Sequence, residues 1–88
     1  MEGHSVISPE VLARYAADAA AEVPGVHTKQ RRGARVVGDE VEVHIVVDYG
    51  AEIPAVAAEV QERVAGYLGR MAGVTPGAVH VVVDDVVR

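Results

Sequence analysis

Glu40-Val41-Glu42-Val43-His44-Ile45-Val46-Val47-Asp48-Tyr49 sets an apolar side chain at every second position, with polar residues between them except at Val46. With a period of two, Val41, Val43, Ile45, Val47 and Tyr49 share one face, and Glu40, Glu42, His44, Val46 and Asp48 share the other. The spacing predicts a half-buried strand over residues 40–49. Whatever flanks it must cover one of its faces and leaves the other open.

Immediately upstream, Gly38-Asp39 fits a two-residue hairpin turn onto Val36-Val37. Residues 26 to 37 read as an irregular edge strand, because Lys29, Arg31, Arg32 and Arg35 crowd a stretch with few apolar residues and Gly33 marks a bulge. Before it, Ser8-Pro9-Glu10 is a helix start: a capping hydroxyl, a proline where no N–H is needed and an acid at the positive end of the dipole. Leu12, Tyr15, Ala16, Ala19 and Val23 recur at helical spacing, and Pro24-Gly25 closes a helix over residues 9 to 23. Downstream, Gly50 breaks the strand and Pro54 opens a second helix. Its apolar stripe includes Ile53, Val56, Val60, Val64, Leu68 and Met71, and it ends at Gly73. Residues 78 to 87 make the last strand, with Val79, Val81 and Val83 on one face and His80, Val82 and Asp84 on the other.

This order, α-β-β-α-β, predicts one α+β domain over residues 1–88: a two-layer sandwich with two helices on one face of a small mixed three-stranded sheet. The second helix crosses over to bring the last strand parallel to residues 40–49. There is room for a short extra strand at His4 to Ile7.

Composition limits what such a domain can do. The 88 residues include 20 Val and 14 Ala but no Phe and no Trp, so the core is built from small pieces and the isolated monomer is expected to have modest stability. A net charge of −5 argues against coating nucleic acid, which requires a basic surface. The absence of Cys removes disulfides, thiolate metal sites and a Cys nucleophile, in keeping with a reducing intracellular setting. Met1 to Ser5 lacks the features of a secretory signal, and no run approaches a membrane span, so a soluble chain is expected.

His44-x-Val46-x-Asp48 and His80-x-Val82-x-Asp84 repeat one pattern on the open faces of the two best strands. If these strands are neighbours, the imidazoles can stand ~5 Å apart across the ladder. Two imidazoles do not complete a zinc site, and no metal or cofactor is expected. Val46 and Val82, apolar where water should be and framed by titratable groups, suit a protein interface better than a pocket. Lys29, Arg31, Arg32 and Arg35 form a basic edge that offers an alternative, a module for RNA or an anionic ligand, although no aromatic residue is interleaved for base stacking. No KH-type Gly-x-x-Gly loop joins two helices, since Gly66 and Gly69 fall inside the second helix. For catalysis the inventory is thin. The only serines are Ser5 and Ser8, no Gly-x-Ser-x-Gly elbow exists, and Asp84 and Asp85 are expected on opposite faces. The chain is not expected to be an enzyme.

Several short pieces, taken in order, resemble the alkaline shock protein family, the Gls-type envelope stress response proteins of Gram-positive bacteria. They are Gly3, Ile7-Ser8 and Val11; Glu22-Val23-Pro24-Gly25-Val26; Tyr49-Gly50, Ile53-Pro54, Val56-Ala57 and Val60-Gln61; and Met71-Ala72-Gly73-Val74 with the Val-rich strand ending at Val86. The resemblance implies a non-catalytic cytoplasmic scaffold. It gathers at the inner face of the membrane through a small membrane-anchored protein and supports the envelope. The family brings no catalytic residue to carry over, and Gln61 is expected to make a helix-surface contact to the loop at Tyr49-Gly50. No function that longer members place in a charged tail is expected of these residues, which end at Arg88 just after the last strand. Expected partners are a second copy or a membrane-anchored protein, not nucleic acid.

Overall fold

Ser8 caps the first helix as its position suggests: its Oγ accepts the N–H of Val11 at 3.2 Å, with Pro9 in the first turn. The computed structural model describes residues 7–28 and 33–88. The short strand expected at His4 to Ile7 lies, apart from Ile7, outside the described residues. Helix α1 (Pro9–Ala21) ends two residues earlier than the periodicity implies. Val23 belongs to the turn that follows, yet its side chain is fully buried, so packing and not helix length explains its apolar identity.

Strand β3 (Glu40–Asp48) is the centre of the sheet. β1 (Val26–Thr28) and β2 (Ala34–Val37) both run antiparallel to it, in the registers Val26↔Val47 and Ala34↔Val43. β4 (Ala78–Val87) runs parallel to β3 along its other edge, from Glu40↔Ala78 to Asp48↔Val87. Since β4 occupies that edge throughout, β1 and β2 must lie end to end along the opposite one. The single irregular edge strand expected over residues 26 to 37 is thus two ladder segments, and the element order is α-β-β-β-α-β. The sheet has four strands but is three strands wide, and mixed as expected. Gly38 takes φ 61° in the β2–β3 turn, and no non-glycine residue described has positive φ. Glycine at the first central position is what a tight hairpin of this hand requires.

Helix α2 (Ile53–Ala72) crosses back over the sheet and stops at Gly73, whose φ of 66° lets its N–H close onto the carbonyl oxygens of Gly69 and Leu68. The core lies between the helices and the odd-numbered face of β3. Val41, Val43, Ile45 and Val47 meet Val60, Val64 and Leu68 from α2 and Ala16, Ala19 and Ala20 from α1. Each buried Val contributes roughly 1.5 kcal/mol, and the alanines let α1 come close. No polar side chain among the described residues is buried. Tyr49 departs from the alternation. The strand ends at Asp48, and Tyr49 is 66% exposed with the Arg88 guanidinium 4.6 Å over its ring.

One irregularity reshapes the sheet. The β3–β4 register runs Ile45↔Val83 and then Val46↔Asp85, leaving Asp84 as an extra residue in a bulge. The bulge inverts the alternation of β4. Asp85 therefore pairs with the open-face residue Val46, and Asp84 also turns its carboxylate onto that face, to His44. The two aspartates do not point to opposite faces, as strict alternation would have them do.

Candidate functional site

Both helices pack on the odd-numbered face of β3, so its even-numbered residues line an open face. Every described histidine lies there, each within hydrogen-bonding distance of a carboxylate. His27 Nε2 is 2.9 Å from Asp48 Oδ1, and His80 Nε2 is 3.0 Å from Glu40 Oε1. His44 is held on both sides, with Nδ1 3.0 Å from Asp84 Oδ1 and Nε2 3.2 Å from Glu42 Oε1. Arg35 Nε extends the row, donating to Glu42 Oε1 at 2.8 Å.

A neutral imidazole has one N–H and can donate to only one of two carboxylates, whereas the cation donates to both. The hydrogen bond to Asp84, then that to Glu42, raises the His44 pKa, outweighing a small opposing effect of burial. Glu42 is lowered in turn by its bonds to His44 and to Arg35. Arg35, Glu42, His44 and Asp84 form one hydrogen-bonded chain across β2, β3 and β4, whose charges alternate when His44 is protonated.

The structure brings His44, Val46, Asp48, His80, Val82 and Asp84 onto one face but does not pair them as expected. The parallel register sets His80 opposite Glu42 and Val82 opposite His44, so the imidazoles are offset by two residues and each turns to an acid instead of to the other. Among the described residues, no group of three or more His, Cys, Asp or Glu side chains is placed to hold a metal ion. Val46 and Val82 are half-buried between these pairs. Of the basic edge, Arg35 is spent on Glu42, and Lys29, Arg31 and Arg32 lie outside the described residues. Sequence reasoning passed over Glu40, Glu42 and His27 as members of the site. The alternation of residues 40–44 already set the two glutamates on the face of His44, and that signal would have found them.

Gln61 does not reach the loop at Tyr49-Gly50. Its Nε2 donates to the main-chain carbonyl of Val79 at 3.0 Å, tying α2 to β4. On the far side, a shallow groove of about 200 Å³ between the helices is lined by Ala19, Glu22, Glu62, Arg63, Gly66, Tyr67 and Arg70. Its charges are largely matched, with Arg63 3.3 Å from Glu59 and 3.9 Å from Glu22 and Arg70 lying over the Tyr67 ring.

Residues 36–88 match the model of the alkaline shock protein 23 family, described as having a cell envelope-related function. None of the curated proteins matches the chain. Solved structures similar to it include a triply substituted MamM CTD, at 27% identity and TM-score 0.50, covering 86% of this chain and 93% of that one. Two zinc forms of singly substituted MamM CTD, at 26% and 28% identity, also have TM-scores of 0.50 and cover 86% of this chain and 84% of each of theirs.

Proposed function

From the premise that the chain belongs to the alkaline shock protein 23 family, whose function is related to the cell envelope, we propose that it is a non-catalytic interaction protein. It self-associates and docks on a membrane-anchored partner at the cytoplasmic face. The observation that carries this reading is the open sheet face, where Val46 and Val82 sit half-buried inside a border of paired charges. An apolar centre with a polar rim is the composition of a moderate protein interface. Its described histidines are engaged by carboxylates, and Ser8 is occupied as a helix cap. No helix among the described residues is long and apolar enough to cross a membrane, so contact with the envelope through a partner is the simpler route. A nucleic-acid or anion-binding role gains no support from the described part of the basic edge, where Arg35 already has Glu42.

The test is to express the chain and a Val46→Lys, Val82→Lys double variant in the native cell. The unaltered chain is expected in the membrane fraction and the variant in the soluble fraction, with its circular dichroism unchanged. Identical fractionation of the two would defeat the reading.

A further inference from the structure

Strand β4 has one bonded edge and one bare edge, and main-chain geometry identifies the residues on each. The His44 N–H donates to the Gly33 carbonyl at 2.7 Å. The even-numbered residues of β3 therefore turn their backbone groups towards β1 and β2, and Val41, Val43 and Ile45 turn theirs towards β4. In the observed register, Ala78, His80 and Val82 then exchange bonds with β3, while Val79, Val81 and Val83 direct N–H and C=O outwards. Two contacts agree with this assignment. The Val79 carbonyl is taken by Gln61, not by β3, and beyond the bulge, where the alternation inverts, the Val87 carbonyl accepts from Tyr49 N–H. Gln61 thus caps the bare edge at Val79 and the bulge ends it at Asp84. Between them, Val81 and Val83 offer backbone groups that no described strand receives.

We infer that a second copy of the chain docks antiparallel on this edge, with a two-fold axis through Val82. The segment His80-Val81-Val82-Val83-Asp84 is its own complement when reversed. With that axis, Val81 and Val83 exchange both bonds of two antiparallel pairs with Val83 and Val81 of the other copy. Val82 meets Val82 on the open face, and each His80 stands across from an Asp84. Neighbouring registers fail. An axis through Val81 needs the carbonyl that Gln61 holds and sets His80 against Val82. An axis through Val83 sets Val81 against Asp85, whose backbone is turned towards β3 after the bulge.

The helix layer agrees. By helical spacing, Ala58, Ala65 and Ala72 share the flank of α2 that carries Gln61 above this edge, whereas Arg63 and Arg70 lie on the α1 side, with Glu22 and Tyr67. Two α2 helices over a joined sheet would face each other through small, uncharged residues and pack closely. Joining two edges removes an exposed strand and sets two open faces side by side for one membrane-bound partner. The inference rests on the self-association proposed above and specifies its surface.

The chain has no cysteine, so single-cysteine variants report directly on contact. Across a two-fold axis, a non-hydrogen-bonded antiparallel pair brings Cα atoms to ~4.5 Å, within disulfide range. Light scattering of the unaltered chain should give twice the 9.2 kDa chain mass. Under mild oxidation Val82→Cys should form a covalent dimer at least ~10-fold faster than Val46→Cys, which sits one strand further in on the same face. Val82→Arg should return the mass to that of the monomer with circular dichroism unchanged. Equal or faster cross-linking of Val46→Cys would mean that copies stack face to face, overturning the edge contact but not self-association. A dimer mass that survives Val82→Arg, with neither cysteine cross-linking, would do the same. A monomer mass for the unaltered chain at its highest soluble concentration would overturn both.

Discussion

His44 Nδ1 lies 3.0 Å from Asp84 Oδ1, although the two are 40 residues apart and belong to different strands. The bond is made by the residue left over in the bulge between Ile45↔Val83 and Val46↔Asp85. It couples the fold to pH.

The folded pKa of His44 is raised above the ordinary value of 6.5, so its contribution to stability is complete below that value and lost as pH rises through the folded pKa. Glu42 is lowered from 4.5, so its contribution is present above that value and lost as pH falls through its folded pKa. Both act together between these limits. Urea midpoints should therefore be higher at about pH 6 than at about pH 8, and His44→Gln should flatten the alkaline limb. A profile that is flat over this range, or one unchanged by His44→Gln, would refute the coupling.

Ile45 and Leu68 head the fully buried side chains by size and sit on facing layers. In a core otherwise made of Val and Ala, few neighbours are large enough to fill a void. Leu68→Ala should lower the unfolding free energy by about 2–5 kcal/mol, and Ile45→Val by about 1 kcal/mol. Leu12, only partly buried against the same core, should cost less than Leu68 when cut to Ala. Chemical denaturation of the three variants gives the order directly, and a Leu12 effect equal to that of Leu68 would contradict this placement of the core.

Much of this was legible because the signals were local. Ser8-Pro9, Gly38 and Gly73 punctuate the chain where their backbone chemistry requires, and the alternation of residues 40–48 put His44, Val46, Glu40 and Glu42 on one face. What stayed hidden was non-local. A helical crossover delivers β4 beside β3 without fixing the register to the residue, so the pairing of His44 with Asp84 instead of His80 could not be read. The bulge itself has no glycine or proline to announce it within Val83-Asp84-Asp85. The break between β1 and β2 and the exposure of Tyr49 likewise depend on which partner strand is present, not on the residues themselves.

Gln61 Nε2 is the donor to Val79, and this polarity can be tested. Gln61→Ala removes the bond and should cost about 0.5–1.5 kcal/mol. Gln61→Glu keeps the length but sets an anionic acceptor against a carbonyl, so at neutral pH it should be the worse of the two. Thermal unfolding at pH 7 and again near pH 4 separates the causes, because protonation restores a donor to the glutamate variant. If Gln61→Glu is the milder change at pH 7, the contact is not a hydrogen bond of this kind.

Gly69 and Gly73 stand four residues apart at the end of α2, and the same substitution should have opposite signs at the two. Gly69 has helical neighbours on both sides, and a Cβ there would meet nothing within 4 Å. Alanine reduces the entropy lost on forming the helix and should stabilise by about 0.5–1 kcal/mol. Gly73 also has open space around it, but its φ of 66° is left-handed, a conformation in which a Cβ is strained. Gly73→Ala should destabilise by about 1 kcal/mol, or unwind the terminal turn and release the N–H bonds to Gly69 and Leu68. Since neither site is crowded, the difference isolates backbone conformation from packing. Equal shifts of the melting temperature in the two variants would mean that α2 does not end at Gly73 in solution.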